Sequence, residues 1–288
     1  MLDAKSTLFV LLGVVGVIFL AVWIPAVLRA KSERVAPNAW ELLVGFVTDF
    51  LDTLGIGSFA TTTALYRSRR TIDDRLLPGT LNVGHTLPTI LQAYIYIEHV
   101  QVEMTTLVSM IVAAVAGSLL GAPIVARWPR HKVQFGLGAA LLALVSVLVY
   151  RQLWTEPTEG TLGLAGTLFG FGVAANFVLG ALMTIGVGLY APCLVLVSML
   201  GMNPSSGFPI MMGSCAFLMP LASVPFIRQG AYSPRATLGL TLAGLPAVWI
   251  AAKYVTSLDL YWVKWLVAVV VIYTAITLLV AASRKKEE

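Results

Sequence analysis

Charge is scarce in this chain. Of its 288 residues only 11% are Asp, Glu, Lys or Arg, about half the share of 25% usual in a soluble domain. No polar stretch is long enough to build a soluble domain between the hydrophobic runs, so any chemistry takes place in or beside a bilayer. Cysteine is nearly absent: Cys193 and Cys215 both lie in apolar runs, which argues against a disulfide framework or a cysteine-rich metal site. The three histidines, His85, His99 and His131, are scattered. There is no HExxH helix, phosphate-binding P-loop or dinucleotide fingerprint. These absences argue against a metalloprotease, an ATP-driven pump and a cofactor-dependent protein. No clustered nucleophile and base suggests an enzyme. The net charge of +5 sits in short loops, where it reports orientation in a membrane rather than nucleic-acid binding.

Apolar residues dominate instead: 58% of the chain is hydrophobic and mean hydropathy is +0.86. Runs fall near 7–29, 38–66, 76–97, 103–126, 132–150, 161–200, 206–227, 235–252 and 260–282. A helix needs about 20 residues to span the hydrocarbon core. The first run lacks a basic preceding region and a small-residue cleavage site, so it reads as a transmembrane helix rather than a signal peptide. The run 38–66 is too long for one simple span and too short for two.

Two runs carry the same interruption. The first breaks at Asp52-Thr53-Leu54-Gly55-Ile56-Gly57-Ser58-Phe59, and the second, about 130 residues later, at Met183-Thr184-Ile185-Gly186-Val187-Gly188-Leu189-Tyr190. Broken hydrophobic segments in corresponding halves are the sequence pointer to a transport site at mid-membrane. Backbone freed from helical bonding is tolerated there only where it lines a cavity or is buried in protein. Glycine-kinked ordinary spans, eight or nine of them, are the simpler alternative, and small residues also serve plain helix packing.

Basic residues help choose. Arg29, Lys31 and Arg34 follow the first run; Arg67, Arg69, Arg70 and Arg75 follow the first break; Arg127, Arg130 and Lys132 join the fourth and fifth runs; Arg228 and Arg235 bracket a later loop; Arg284, Lys285 and Lys286 lie in the tail. The loops 98–102 and 201–206 contain none. The positive-inside rule is met if each broken segment starts and ends on one side as a re-entrant hairpin. The fold class expected is then an all-α polytopic membrane protein of inverted repeats, each a hairpin plus three spans, after an extra N-terminal helix. The expected divisions are 1–37, 38–152 and 153–288, with seven full spans, the N-terminus outside and the C-terminus cytoplasmic.

Around the breaks lie the residues expected to bind a solute. Gly55, Gly57, Ser58, Thr61 and Thr62 form the first set; a half helix starting here points free amides into the break and its positive end attracts an anion. Gly186, Gly188, Tyr190 and Cys193 form the second, where Pro192 suits a first helical turn. The following runs add Asn82, His85 and Thr86, and Ser214 in the counterpart; Pro88 and Pro220 free carbonyls by removing a helical bond. His85 is read as an anion contact or proton carrier, against a structural histidine. Asp49 and Asp52 precede the first break. Intramembrane carboxylates are costly and usually functional, and Asp52 and His85 are the proton-coupling candidates. The cysteines are small packing groups as readily as reactive ones.

The repeated phrase and the helix that follows it resemble the TauE/SafE sulfite exporter family over about residues 38–282. That family's glycine-rich phrase is followed by a proline. Here the first copy is Gly55-Ile56-Gly57-Ser58-Phe59 and then Ala60-Thr61, the second Gly186-Val187-Gly188-Leu189-Tyr190 and then Ala191-Pro192. Both keep the first two glycines and lose the later ones, and Thr61 replaces the proline in the first. The resemblance implies a permease of the cytoplasmic (inner) membrane for sulfite, an organosulfonate such as sulfoacetate, or another small organic anion. Bulkier Phe59 and Tyr190 alter the pocket, so the substrate does not carry over.

The function expected is a secondary transporter of a small, sulfur-containing anion by alternating access, with proton coupling through His85 or Asp52. The partners expected are the anion and the bilayer, with no nucleic acid; a homodimer is consistent with size and class. A passive anion channel is the nearest rival, followed by transport of a non-sulfur organic anion and by an assembly subunit.

Overall fold

A computed structural model of the protein describes residues 3–30, 35–125, 127–154, 160–184 and 187–284. Among these the regular structure is helical: α1 (Ala4–Arg29), α2 (Ala39–Thr53), α3 (Ser58–Arg69), α4 (Leu77–His99), α5 (Met104–Ala116), α6 (Ala122–Val125), α7 (Arg130–Trp154), α8 (Gly166–Met183), α9 (Tyr190–Met199), α10 (Gly207–Gln229), α11 (Pro234–Thr256) and α12 (Leu260–Arg284). An isolated bridge joins Thr161 to Met202, and a π-helical turn, Gly117–Gly121, links α5 to α6. Seven described helices are long and apolar enough to cross a membrane, as the sequence led us to expect in number. Their membership differs: α8 is among them, while α4 is not. The polar Asn82, His85, Thr86 and Gln92 dilute α4, and most of these are buried against neighbouring helices rather than turned to lipid.

Contacts divide the chain into two compact units, Met1–Glu98 with Cys215–Tyr254 and His99–Ser214 with Val255–Glu288. Each draws on both halves of the sequence, so they describe packing and do not measure internal repetition.

In the first unit α2 and α3 form a hairpin. They have 15 and 12 residues, about 22 and 18 Å of helix, too short for a core of about 30 Å. They turn back on each other: the Arg69 guanidinium at the end of α3 stacks 3.8 Å from the Trp40 ring at the start of α2. A capping box starts α2, with Asn38 accepting from Trp40 and Glu41 while Glu41 accepts from the Asn38 amide. Around this end, Val44, Tyr66, Leu77, Ala236 and Leu240 pack as one cluster. Helix α1 runs antiparallel to α4: Lys5 pairs with Glu98 at one end, and Phe19 and Trp23 pack on Val83 toward the other.

In the second unit the backbone joins the two ends of the α8–α9 segment. Thr161 N–H donates to Gly201 O, and Asn203 N–H to Thr161 O. The segment therefore starts and ends together. Helices α5 and α8 cross closely through small residues: a Cβ on Gly180 would strike the Ala114 carbonyl, and one on Gly117 the carbonyl of Phe177. The π turn falls at this crossing. Helices α7 and α12 pack similarly, with Gly138 against Ala275 and Leu279.

Two stability outcomes follow. Gly180→Leu overpacks the α5–α8 crossing and is expected to cost about 1–3 kcal/mol or more, read by thermal unfolding in detergent. Glu103 caps α5 by accepting from Thr105 and Thr106. Partial burial pushes its pKa up, but these donors outweigh it and hold the carboxyl at about 2 against an ordinary 4.5. A depressed pKa stabilises the fold above the unfolded value and loses that contribution as pH falls through the folded one. Glu103→Ala should cost about 1 kcal/mol at neutral pH, and the difference from the parent should vanish on acidification from 4.5 toward 2.

Candidate functional site

The first break is built by the two glycines of its phrase. Leu54 ends α2; the Gly55 amide then donates to Asp52 O (2.8 Å) and the Ile56 amide to Leu51 O (3.1 Å). This pair of bonds, with Gly55 at φ +97°, is a Schellman ending. Gly57, at φ +87°, then turns the chain into α3, a conformation that costs an L-residue about 1–2 kcal/mol. The second break closes with the corresponding bond, Val187 N–H to Leu182 O (3.3 Å). Gly186 lies outside the described residues.

Three buried stripes meet in the first unit. From α2 come Thr48, Asp49, Asp52 and Thr53; from α3, at every fourth residue, Ser58, Thr62 and Tyr66; from α4, His85, Thr89, Gln92 and Tyr96. His85 lies between two partners: Nδ1–H donates to Asp49 Oδ1 at 2.7 Å, and Nε2 lies 3.0 Å from the Thr62 hydroxyl. Asp49 and His85 are both wholly buried. Asp52 is held separately. Gln92 Nε2 donates to its Oδ2 at 2.9 Å and to Thr53 Oγ1 at 3.0 Å, the Ser58 amide and hydroxyl donate to its carboxylate, and Tyr96 O–H reaches Thr53 O at 2.8 Å. Helix α11 closes the site. Gly244 leaves room for the Asp49 carboxylate, and Thr241 donates to Gly84 O at 2.8 Å. That carbonyl is the one Pro88 releases, since proline four residues on has no N–H to give it.

The residues singled out in the sequence thus separate by role. Ser58, Thr62, His85 and Asp52 come together. The Gly55 amide and the Thr61 hydroxyl were expected to face a solute, yet Gly55 closes α2 and Thr61 donates to Ser58 O (2.8 Å) in its own helix. Asn82 donates to Pro78 O and Thr86 to Asn82 O, also locally, though Thr86 is within 3.2 Å of Ser223. In the second unit Asn176 Nδ2 donates to Met110 O (2.7 Å) and Ser214 Oγ (3.3 Å). Tyr190 and Cys193 are buried there, and Gly188 is exposed. A cavity of about 290 Å³ at the ends of α7, α9 and α12, lined by Arg151, Lys264 and Trp265, contains none of the expected residues. Asp49, Gln92 and Tyr66 were missing from the expected set. Only Asp49 carried a sequence signal, as a carboxylate in an apolar run. Among the described residues no cluster of three or more His, Cys, Asp or Glu side chains could hold a metal ion.

The sulfite exporter TauE/SafE family matches the chain over residues 42–278. This protein belongs to that family. The match spans both broken segments and every buried polar residue of the site. It makes the protein a multi-pass membrane transporter of the class that moves sulfur anions such as sulfite. TauE/SafE is a family of transporters. No curated protein and no solved structure matches the chain.

Asp52→Ala removes the acceptor of Gln92 and Ser58 together. The expected loss is about 1–3 kcal/mol of stability, seen as a lower unfolding midpoint in detergent. A change of a few tenths would contradict the capping role.

Proposed function

We propose that this TauE/SafE protein is a secondary transporter that carries sulfite or a small organosulfonate across the cytoplasmic membrane by alternating access. One observation carries the reading: two apolar segments break at matching Gly-apolar-Gly phrases, and each folds back so that its start and end lie together. Broken helices of this kind supply transport sites because backbone polar groups there can serve a solute instead of a neighbouring turn.

Within the first unit the solute contacts proposed are Ser58, Thr62 and His85; within the second, taken by itself, the candidates are Gly188, Tyr190, Cys193 and Ser214. Gly55 and Thr61 are left out because their donors are satisfied by the hairpin's own backbone, whereas Ser58, Thr62 and His85 bond side chains that a solute would displace. No lysine or arginine is buried among the described residues, so His85 is the one buried side chain there able to carry positive charge. A sulfur oxyanion needs donors and a counter-charge, which Ser58, Thr62 and His85 would offer within the first unit.

Orientation follows from the first unit. Arg67, Arg69, Arg70 and Arg75 flank the base of the α2–α3 hairpin, and Arg235 joins Glu41 there at 3.2 Å. The positive-inside rule puts this end in the cytoplasm, with the N-terminus outside and the C-terminus cytoplasmic.

The test is a thermal-shift panel of sulfite, sulfoacetate, thiosulfate and simple carboxylates on the purified protein. A true ligand at a hundredfold excess over its Kd stabilises by about 2.7 kcal/mol. Stabilisation by a sulfur oxyanion and not by carboxylates is expected; stabilisation by carboxylates alone would move the substrate out of the sulfur class.

A further inference from the structure

Three consecutive threonines follow the first break, and the middle one bonds differently from its neighbours. Thr61 donates to Ser58 O at 2.8 Å and Thr63 to Phe59 O at 2.7 Å, the bond to the preceding turn that a helical threonine readily makes. Thr48 and Thr53 of α2 do the same. Thr62 is buried and reaches across to α4, where its hydroxyl lies 3.0 Å from His85 Nε2. The other ring nitrogen, Nδ1, lies 2.7 Å from Asp49 Oδ1 on α2. An ionised carboxylate only accepts, so Nδ1 carries a hydrogen; in a neutral ring Nε2 is then bare and accepts from Thr62. One side chain from each of three helices thus forms a line of two hydrogen bonds, its direction set from the Asp49 end.

This line has a place for one more proton. A proton from water added at Nε2 makes the imidazolium, whose two N–H groups both donate. The Thr62 oxygen then accepts where it had donated, and its hydrogen, still on Oγ1, turns away from His85. Asp49 stays ionised, so the Asp49–His85 pair passes from net −1 to net zero. The turned hydrogen needs an acceptor, because a buried donor without one is unfavourable. Ser58 O, the carbonyl four residues back, is already taken by Thr61. An anion supplies the acceptor. We propose that Asp49 positions His85 to hold a coupling proton, and that protonation there hands the Thr62 hydroxyl from His85 to the transported anion. The inference rests on the transport reading above. It makes each anion bind with one proton, so that the two cross together.

The ionisable groups around this line leave the role to His85. On α2, Asp52 lies within electrostatic reach of the ring, but its carboxylate is held by Gln92 and Ser58. Glu41 is paired with Arg235 of α11. Tyr66 follows Thr62 one turn later on α3, and Tyr96 of α4 is bonded to Thr53 O. The Phe59 ring of α3 lies beside the His85 ring, 6.3 Å between centroids. The charged residues of α1, α10 and α11 sit in end turns: Lys5 and Arg29, Arg228, and Arg235 and Lys253.

The test is calorimetric binding of thiosulfate and of sulfoacetate, whose charges stay constant over the range, between about pH 5 and pH 8. Parent affinity should rise as pH falls, approaching about tenfold per unit, as one proton is taken up per anion. Thr62→Val should lose about tenfold or more at the acid end, the worth of a hydrogen bond to a charged group. It should lose little at the alkaline end, where the hydroxyl is spent on His85. Thr62→Ser should restore the parent's profile. Asp49→Asn keeps an acceptor beside Nδ1 without the charge and should bind with no pH dependence. Equal loss in Thr62→Val at both ends, parent binding indifferent to pH, or the parent's profile in Asp49→Asn overturns the inference. A parent that binds neither probe counts against the sulfur-anion reading instead. The inference is then judged without ligand, by nitrogen-15 histidine NMR over the same range, with His85→Gln identifying its signal among the three histidines. Hydrogen on Nδ1 alone at the alkaline end and on both nitrogens at the acid end supports it. Hydrogen on Nε2 in the neutral ring, or no second protonation, overturns it.

Discussion

A helix that stops inside a bilayer leaves backbone donors and acceptors where no water can take them. That constraint organises both broken segments. Each first helix ends with an amide reaching back five residues, Ile56 to Leu51 and Val187 to Leu182. In the first segment the start of the next helix is also capped, by the Asp52 side chain on Ser58. The freed Gly84 carbonyl at Pro88 is taken by Thr241. The irregular backbone is thus largely satisfied by the protein itself, and the donors left for a solute are few and specific.

The second constraint is charge. Asp49, Asp52 and His85 share one buried region, and removing charges from water costs several kcal/mol each unless they are paired and hydrogen-bonded. The two acids solve this differently. Asp52 is fixed by amide and hydroxyl donors and serves architecture. Asp49 shares its burden with His85 and keeps one oxygen unused. Side chains fixed in every bond hold shape; those with one free valence can change protonation state.

The breaks were legible because they are local. Positive φ at Gly55 and Gly57 selects glycine, and the recurrence of Gly-apolar-Gly in a second apolar run pointed to a second break. Membrane class followed from composition, and the family resemblance from the same phrase. What could not be read was tertiary. Asp49 and His85 are 36 residues apart, and Gln92 reaches Asp52 over 40; each pair joins two different helices, so no periodicity within one helix announces it. Thr61 misled for a local reason, since a threonine hydroxyl in a helix readily bonds the carbonyl three or four residues back. Helix α4 shows the limit of hydropathy: the polar residues that build the site make it the least membrane-like of the long helices in its unit.

The central claim is that a broken segment returns to the side from which it started. Single cysteines at Ala36 and Thr71, flanking the first hairpin, in a protein with Cys193 and Cys215 replaced, report this directly through a membrane-impermeant maleimide. Labelling of both positions from the cytoplasmic face is the outcome predicted. Labelling of one from each face would mean that the segment crosses the membrane, and the account would fail.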